Sequence, residues 1–105
     1  MSKRQEKIQE ALRMAAAEFL VREATHQSLI TVTRCVVSED GKHGTIYMTV
    51  FPDSFEDAAG AFANRHRTEF AQFFTKKVRG AFPPHVEFVI DLGEKNRQRL
   101  DELTN

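Results

Sequence analysis

The chain has 105 residues, of which 41% are hydrophobic and 29% charged, and its 15 basic and 15 acidic residues give a net charge of zero. This length predicts one domain, residues 1–105, with a single modest core. No apolar run approaches the ~20 residues of a membrane span, and the charged N-terminal segment is not that of a signal peptide. A single cysteine, Cys35, excludes an internal disulfide and fits a cytoplasmic protein.

A first helix is predicted for residues 3–23. Apolar residues recur there every three or four positions, so they occupy one sector of a helix. The members of this stripe are Ile8, Ala11, Leu12, Ala15, Ala16 and Phe19. Residues 25–28 interrupt the pattern and predict a turn.

Residues 29–52 predict a β-hairpin. Its strands are expected at 29–37 and 45–51, because both runs are rich in β-branched residues and Asp40-Gly41 lies between them. The second strand should bury the alternate residues Ile46, Met48 and Val50.

The first strand of the hairpin carries an internal conflict. Simple alternation would place Arg34 in the core, and burying an unpaired charge is costly. We therefore predict a β-bulge at residues 33–34, which turns Arg34 outward and Cys35 and Val37 inward.

A helix is predicted after Pro52, which ends the hairpin. Ser54 can accept hydrogen bonds from the free amides of a helix start, and Asp57 places an acid in the first turn. This helix should run to about His66.

A second helix begins shortly afterwards, because the apolar phase restarts at Phe70. Thr68 is a good N-cap, so the new helix should run from Glu69 to about Arg79, and Gly80 should end it. The interhelical kink is predicted at His66, Arg67 and Thr68.

The remaining residues predict one strand and one helix. Phe82-Pro83-Pro84 is an extended connection, residues 85–91 form a third strand, and residues 94–103 form a short, weakly packed surface helix. The fold class is α+β, in the order α-β-β-α-(kink)-α-β plus the short C-terminal helix. The three-stranded sheet should have helices on one face, and its third strand is expected to run parallel to the first.

Residues 64–80 are locally basic, although the whole chain is neutral. Five cations, Arg65, Arg67, Lys76, Lys77 and Arg79, stand against the single acid Glu69. The pattern fits either a solvated helix face or a nucleic-acid contact.

The element order matches the type II KH fold, and the residues resemble a specific family, ribosome-binding factor A, an assembly factor of the bacterial small ribosomal subunit. The resemblance spans nearly the whole chain and rests on the order and spacing of several short motifs. They are Arg4 with Lys7-Ile8, Thr31-Val32-Thr33, Ser38 with Asp40, Ile46-Tyr47-Met48-Thr49-Val50, Pro84 with Phe88 and Asp91, and Arg99 with Leu103.

Two features depart from the family pattern. The kink positions carry no glycine, unlike the glycine-bearing loop that KH domains use to clamp nucleic acid. The sequence also stops at Asn105 without the extended tail of many members, so any function of that tail is expected to be absent.

The resemblance implies a ribosome biogenesis factor that binds the small (30S) subunit and assists late 16S rRNA maturation. It further implies a role in cold adaptation, cooperation with assembly GTPases, and action as a cytoplasmic monomer. The candidate RNA-binding residues are Arg4, Lys7, Arg65, His66, Arg67, Lys76 and Arg79.

An alternative is a small protein–protein interaction module on a KH-like or ferredoxin-like scaffold without RNA binding, which would use Tyr47 and Phe51 on the open sheet face. No phosphate loop, nucleotide fingerprint or catalytic triad spacing occurs, so neither an enzyme nor a cofactor is predicted. The four histidines are read as unrelated surface residues rather than metal ligands.

Overall fold

The computed structural model describes residues 3–23, 27–80 and 82–104, without the side chains of residues 23 and 104. In these residues the helices are α1 (Lys3–Glu23), α2 (Glu56–Arg65), α3 (Arg67–Lys77) and α4 (Leu92–Thr104). The strands are β1 (Leu29–Val37), β2 (His43–Phe51) and β3 (His85–Ile90). The α+β fold and the element order of the type II KH class are therefore as predicted; part of the turn predicted at residues 25–28 lies outside the described residues.

The sheet has the strand order β1-β2-β3, with β1 and β2 antiparallel and β2 and β3 parallel. The prediction that β3 runs parallel to β1 is wrong. A helical crossover returns the chain to the end of the sheet from which the preceding strand started, so β3 takes the direction of β2. Since β2 runs against β1, β3 does so too.

The predicted bulge in β1 is confirmed. The strand register shifts between Val32 and Arg34, leaving Thr33 without a register partner on β2. Beyond the bulge, Cys35 is buried and Arg34 points outward, where its guanidinium lies 3.9 Å from the centre of the Tyr47 ring. The extra residue thus keeps a charge out of the core.

One face of the sheet carries the core, formed with α1, α2 and α3. Ile46 and Met48 of β2 have no exposed surface, and Phe74 of α3 has none either. The α1 stripe is buried or half-buried as predicted, and it extends one residue further, to Leu20.

The chain breaks between α2 and α3 as predicted, but neither predicted cap is used. Ser54 lies in a short 3-10 turn (Asp53–Phe55), and Thr68 lies in the first turn of α3. Only His66 interrupts the helices: its N–H donates to the carbonyls of Phe62 and Ala63, and its own carbonyl accepts from Phe70 N–H at 2.9 Å. His66, not Thr68, is therefore the residue that precedes α3, and no side chain caps the start of that helix.

The far end of α3 also differs from the prediction. The helix ends at Lys77, two residues early, and Val78 adopts an extended conformation. Gly80 has a φ of +79°, a left-handed conformation that favours glycine. It therefore turns the chain towards β3 rather than ending the helix directly.

Side-chain amides from the helices bond to both outer strands of the sheet. On β1, the N–H of Val37 donates to Gln9 Oε1 at 3.0 Å, and Gln5 Nε2 donates to the Val37 carbonyl at 3.3 Å. On β3, Asn64 accepts from the Phe88 N–H at 2.9 Å and donates to its carbonyl at 3.0 Å. These bonds fix α1 and α2 in position along the sheet.

The other face of the sheet is largely open, with α4 beside one end of it. Leu29 and Phe51 lie opposite each other there and are 67% and 70% exposed. Asp91 caps α4 by accepting from the Glu94 N–H at 3.1 Å, and Lys95 pairs with Glu56 at 3.0 Å. The leucines of α4 remain exposed, so this helix is weakly packed, as predicted.

Candidate nucleic-acid interface

The predicted RNA-binding residues lie in three places rather than along one continuous face. Arg4, Lys7 and Arg79 line a groove at one end of the molecule, Lys76 lines a groove between α1 and α3, and Arg65, His66 and Arg67 lie at the helix break. At a rise of 1.5 Å per residue, α3 separates the break from the end of the helix by about 16 Å. The structure therefore brings Arg4 and Lys7 together with Arg79. The other predicted residues, at the helix break and in the groove between α1 and α3, lie apart from them.

We call the first of these places the end groove. It is formed by the start of α1, the turn between β1 and β2, and the residues after α3. Its volume is about 570 Å³. Its lining includes Lys42 and the aromatic ring of Phe82 besides the three predicted cations. The lining of the groove thus contains four cations and two carboxylates, those of Glu39 and Asp40.

The acids of the end groove leave most of its cations unpaired. Asp40 accepts a hydrogen bond from the Ser38 hydroxyl at 2.6 Å and another from the Lys42 N–H at 3.0 Å. The hydrogen bond from Ser38 is the main reason that the pKa of Asp40 is lowered. Among the described residues, Arg4, Lys7 and Arg79 have no ion-pair partner within 4 Å.

The groove between α1 and α3 is a mixed surface around Phe73. Lys77 lies 5.6 Å from the centre of this ring, and Arg22 lies 5.5 Å from it. Both cations pair with Glu18, at 2.9 Å for Lys77 and 3.1 Å for Arg22. Lys77 therefore extends from an apolar position to a carboxylate, and Lys76 is the cation of this groove without an ion-pair partner among the described residues.

The helix break offers two exposed arginines, Arg65 and Arg67. His66 is committed elsewhere, because its Nδ1 lies 2.8 Å from the Phe62 carbonyl and its ring stacks on Phe62 with centroids 4.3 Å apart. Its backbone N–H is also already bonded. Thr68 is exposed in the first turn of α3.

Sequence reasoning did not identify Lys42, Gly41 and Phe82 as members of a site. The local excess of positive charge in the sequence covers residues 64–80, and these three residues lie in connections outside that range. Their signal is that each lies in or beside a turn region, where binding residues are common. Their association with Arg4 arises only from the tertiary fold.

The ionisable groups of Cys35, Asp40 and Asp91 have pKa values shifted by their surroundings. Burial raises the pKa of the Cys35 thiol to about 12, so the thiol stays protonated at neutral pH. Asp40 and Asp91 act as separate hydrogen-bond acceptors, Asp40 in a turn and Asp91 at a helix start. No group of three or more potential metal ligands occurs in the described part of the chain.

Two of the histidines are related in space, contrary to the sequence interpretation. His43 and His85 are opposite each other on β2 and β3, with ring centroids 6.2 Å apart. Residues 42 positions apart meet here because parallel pairing aligns the first residues of the two strands. His26 lies outside the described residues.

The element order and the mixed three-stranded sheet define an α+β domain of the KH-like class, with exposed cations in three separate places. A family comparison then gives the particular assignment. Residues 4–104 match the family model of ribosome-binding factor A, so the chain belongs to this family.

Curated relatives support the same assignment. Ribosome-binding factor A of Paenarthrobacter aurescens (strain TC1) and that of Arthrobacter sp. (strain FB24) are each 32% identical over 100 residues, covering 92% of this chain. The matched regions are 60% and 59% of those proteins, so the chain spans about three-fifths of their length.

Solved structures share the fold. Ribosome-binding factor A from Thermus thermophilus superposes with a TM-score of 0.72 at 23% identity, covering 82% of this chain and 94% of that one. A Thermotoga maritima protein studied by NMR gives 0.72 at 19% identity, covering 89% and 92%. A homology model of the Thermus thermophilus factor, fitted into a cryo-electron microscopy map of a 30S complex, gives 0.68 at 24% identity, covering 77% and 88%.

Proposed function

We propose that this protein binds the small ribosomal subunit and assists late maturation of 16S rRNA. The observation that carries the proposal is the family match over residues 4–104. The fitted Thermus thermophilus factor, which shares the fold, is described in a complex with the 30S subunit.

The charge distribution supports the proposal in a physical sense. Exposed cations without ion-pair partners among the described residues are available to bind phosphate, which contributes much of the affinity of protein–RNA complexes. Because the net charge is zero, binding depends on local placement of charge and so favours a structured site over random RNA. The protein would act as a cytoplasmic, single-domain monomer, together with assembly GTPases, and would matter most for growth in the cold.

Sedimentation with purified subunits tests the first step. The wild-type protein should co-sediment with small subunits and not with large subunits, and its affinity should fall steeply between about 50 mM and about 200 mM salt. A deletion strain should accumulate precursor 16S rRNA, most strongly at low temperature. Failure to co-sediment with small subunits at low salt would overturn the proposal.

A second candidate is a protein–protein interaction module that does not bind RNA. The paired, exposed side chains of Leu29 and Phe51 on the open sheet face favour it. Charge reversal of Arg65, Arg67, Lys76 and Arg79 together distinguishes the two functions, since it should weaken an RNA-based association and leave an apolar one intact.

A further inference from the structure

We propose that the end groove holds a single-stranded segment of RNA, with phosphates on its cations and one unstacked base on Phe82. This inference deepens the proposed function and rests on it, because it names the surface that would contact RNA. It also locates that surface away from the helix break, where KH-like architecture would suggest it.

Backbone geometry is the first argument. Gly41 and Gly80 are the only described residues with positive φ, at +73° and +79°, and both line the end groove. Apart from the glycine itself and its two chain neighbours, no heavy atom of the described residues lies within 4 Å of the position that a Cβ would take at either glycine. Bare backbone of this kind allows close approach of a ligand, whereas the helix break has no glycine at all.

Charge is the second argument. Arg4, Lys7, Lys42 and Arg79 come from three separate segments and converge on the one groove, where Asp40 is already bonded to Ser38 and to a backbone amide. The break has only two free cations, because the His66 ring is held by Phe62. With the carboxylates of Glu39 and Asp40 counted, the end groove keeps an excess of two positive charges, and it places more cations within reach of one bound strand than the break does.

The aromatic ring is the third argument. Phe82 is 93% exposed, the highest value among the large hydrophobic side chains of the described residues. An exposed ring beside a cationic groove is the arrangement with which proteins bind single strands, since each unstacked base can stack on it. The volume of about 570 Å³ falls in the range of clefts that hold small ligands, so a nucleotide fits.

The walls of the groove are also held in place before binding. Gln5 and Gln9 bond the start of α1 to Val37 at the end of β1. On the other side, the N–H of His85 donates to the Lys42 carbonyl at 2.8 Å, which ties the β1–β2 turn to the start of β3. Such preorganisation lowers the entropic cost of binding.

Two matched charge reversals test the location. K7E/R79E changes the end groove and R65E/R67E changes the break, and both lower the net charge by the same amount. Binding to purified small subunits should weaken about 100-fold for K7E/R79E, roughly tenfold for each cation reversed, and much less for R65E/R67E. The slope of log K against log salt should also fall by about two, one for each phosphate that the variant no longer binds.

The two levels of the proposal fail differently. If the wild-type protein does not co-sediment with small subunits, the proposed function fails. If the wild type binds and K7E/R79E binds equally well, or if R65E/R67E is the weaker variant, only the location in the end groove is overturned. Unchanged circular dichroism and thermal unfolding of both variants establish that folding is not the cause.

A fluorescence experiment tests the stacking. Because the chain contains no tryptophan, the variant F82W carries one indole at the proposed stacking position. Short single-stranded RNA at low salt should quench its emission, whereas F51W, with its indole on the open sheet face, should show no saturable change. An F82W signal that does not respond to saturating RNA, or an equal response in F51W, would overturn the stacking role.

Discussion

The two faces of the sheet are stabilised by different physical effects. The face towards α1, α2 and α3 is apolar and closed, with Ile46, Met48 and Phe74 fully buried. The opposite face has exposed Leu29 and Phe51, and α4 is attached there mainly by a helix cap and ion pairs. Global stability should therefore depend on the first face, while the attachment of α4 should respond to pH and salt.

The largest expected effect on stability comes from removing a buried side chain on the closed face. Phe74→Ala removes a fully buried ring and should cost about 3–5 kcal/mol in the free energy of unfolding. Phe51→Ala on the open face is the matched control and should change it by about 0.5 kcal/mol or less. Urea denaturation measures both, and similar losses would contradict the distinction between the faces.

An intermediate effect is expected at Asp91, where the open face meets α4. Asp91 is 6% exposed, and its carboxylate accepts from the Thr33 hydroxyl at 2.6 Å and caps α4 through the Glu94 N–H. Asp91→Ala should destabilise the protein by about 1–2 kcal/mol, because both donors lose their acceptor. Asp91→Asn keeps an acceptor and should cost less.

The same carboxylate predicts a pH dependence. The hydrogen bond from Thr33 is the main cause that holds the pKa of Asp91 below its ordinary value of 3.8. A lowered pKa in the folded state stabilises the protein above pH 3.8, and this stabilisation is lost as the pH falls through the folded-state pKa. The stability difference between wild type and Asp91→Asn should therefore shrink in acid; a difference that grows would contradict this assignment.

The smallest effect is expected at Lys95 of α4. This residue pairs with Glu56 at 3.0 Å and approaches Asp53 at 3.6 Å, so it connects α4 to the start of α2 and to the 3-10 turn before it. Lys95→Ala should speed amide hydrogen exchange in α4 without changing it in α3, and high salt should reduce the difference. Arg97→Ala is the control, because Arg97 pairs with Glu94 inside the same helix.

The features that the sequence predicted correctly depend on residues close to one another in the chain. The bulge in β1 follows from the cost of burying Arg34, and the break near His66 follows from the restart of the apolar phase. The predicted direction of β3 was wrong because the crossover was related to β1 rather than to β2, the strand that precedes it and beside which β3 pairs. The end groove also could not be predicted, since its walls are brought together by pairing between distant segments.

The caps show a further limit of sequence reasoning. Ser54 and Thr68 are good capping residues, yet neither precedes a helix: Ser54 lies inside the 3-10 turn before α2, and α3 begins one residue before Thr68. The capping propensity of a residue matters only at the position where a helix begins. The tertiary path of the chain sets that position.

The amide side chains along the outer strands have a consequence for self-association. A strand with free backbone groups is a template on which a second molecule can add its own strand, and this is one route to fibrils. Here Gln5 and Gln9 on one side and Asn64 on the other already occupy the backbone groups of Val37 and Phe88 that such an incoming strand would need. At these two positions an incoming strand would have to displace a side-chain amide first, which disfavours its pairing there.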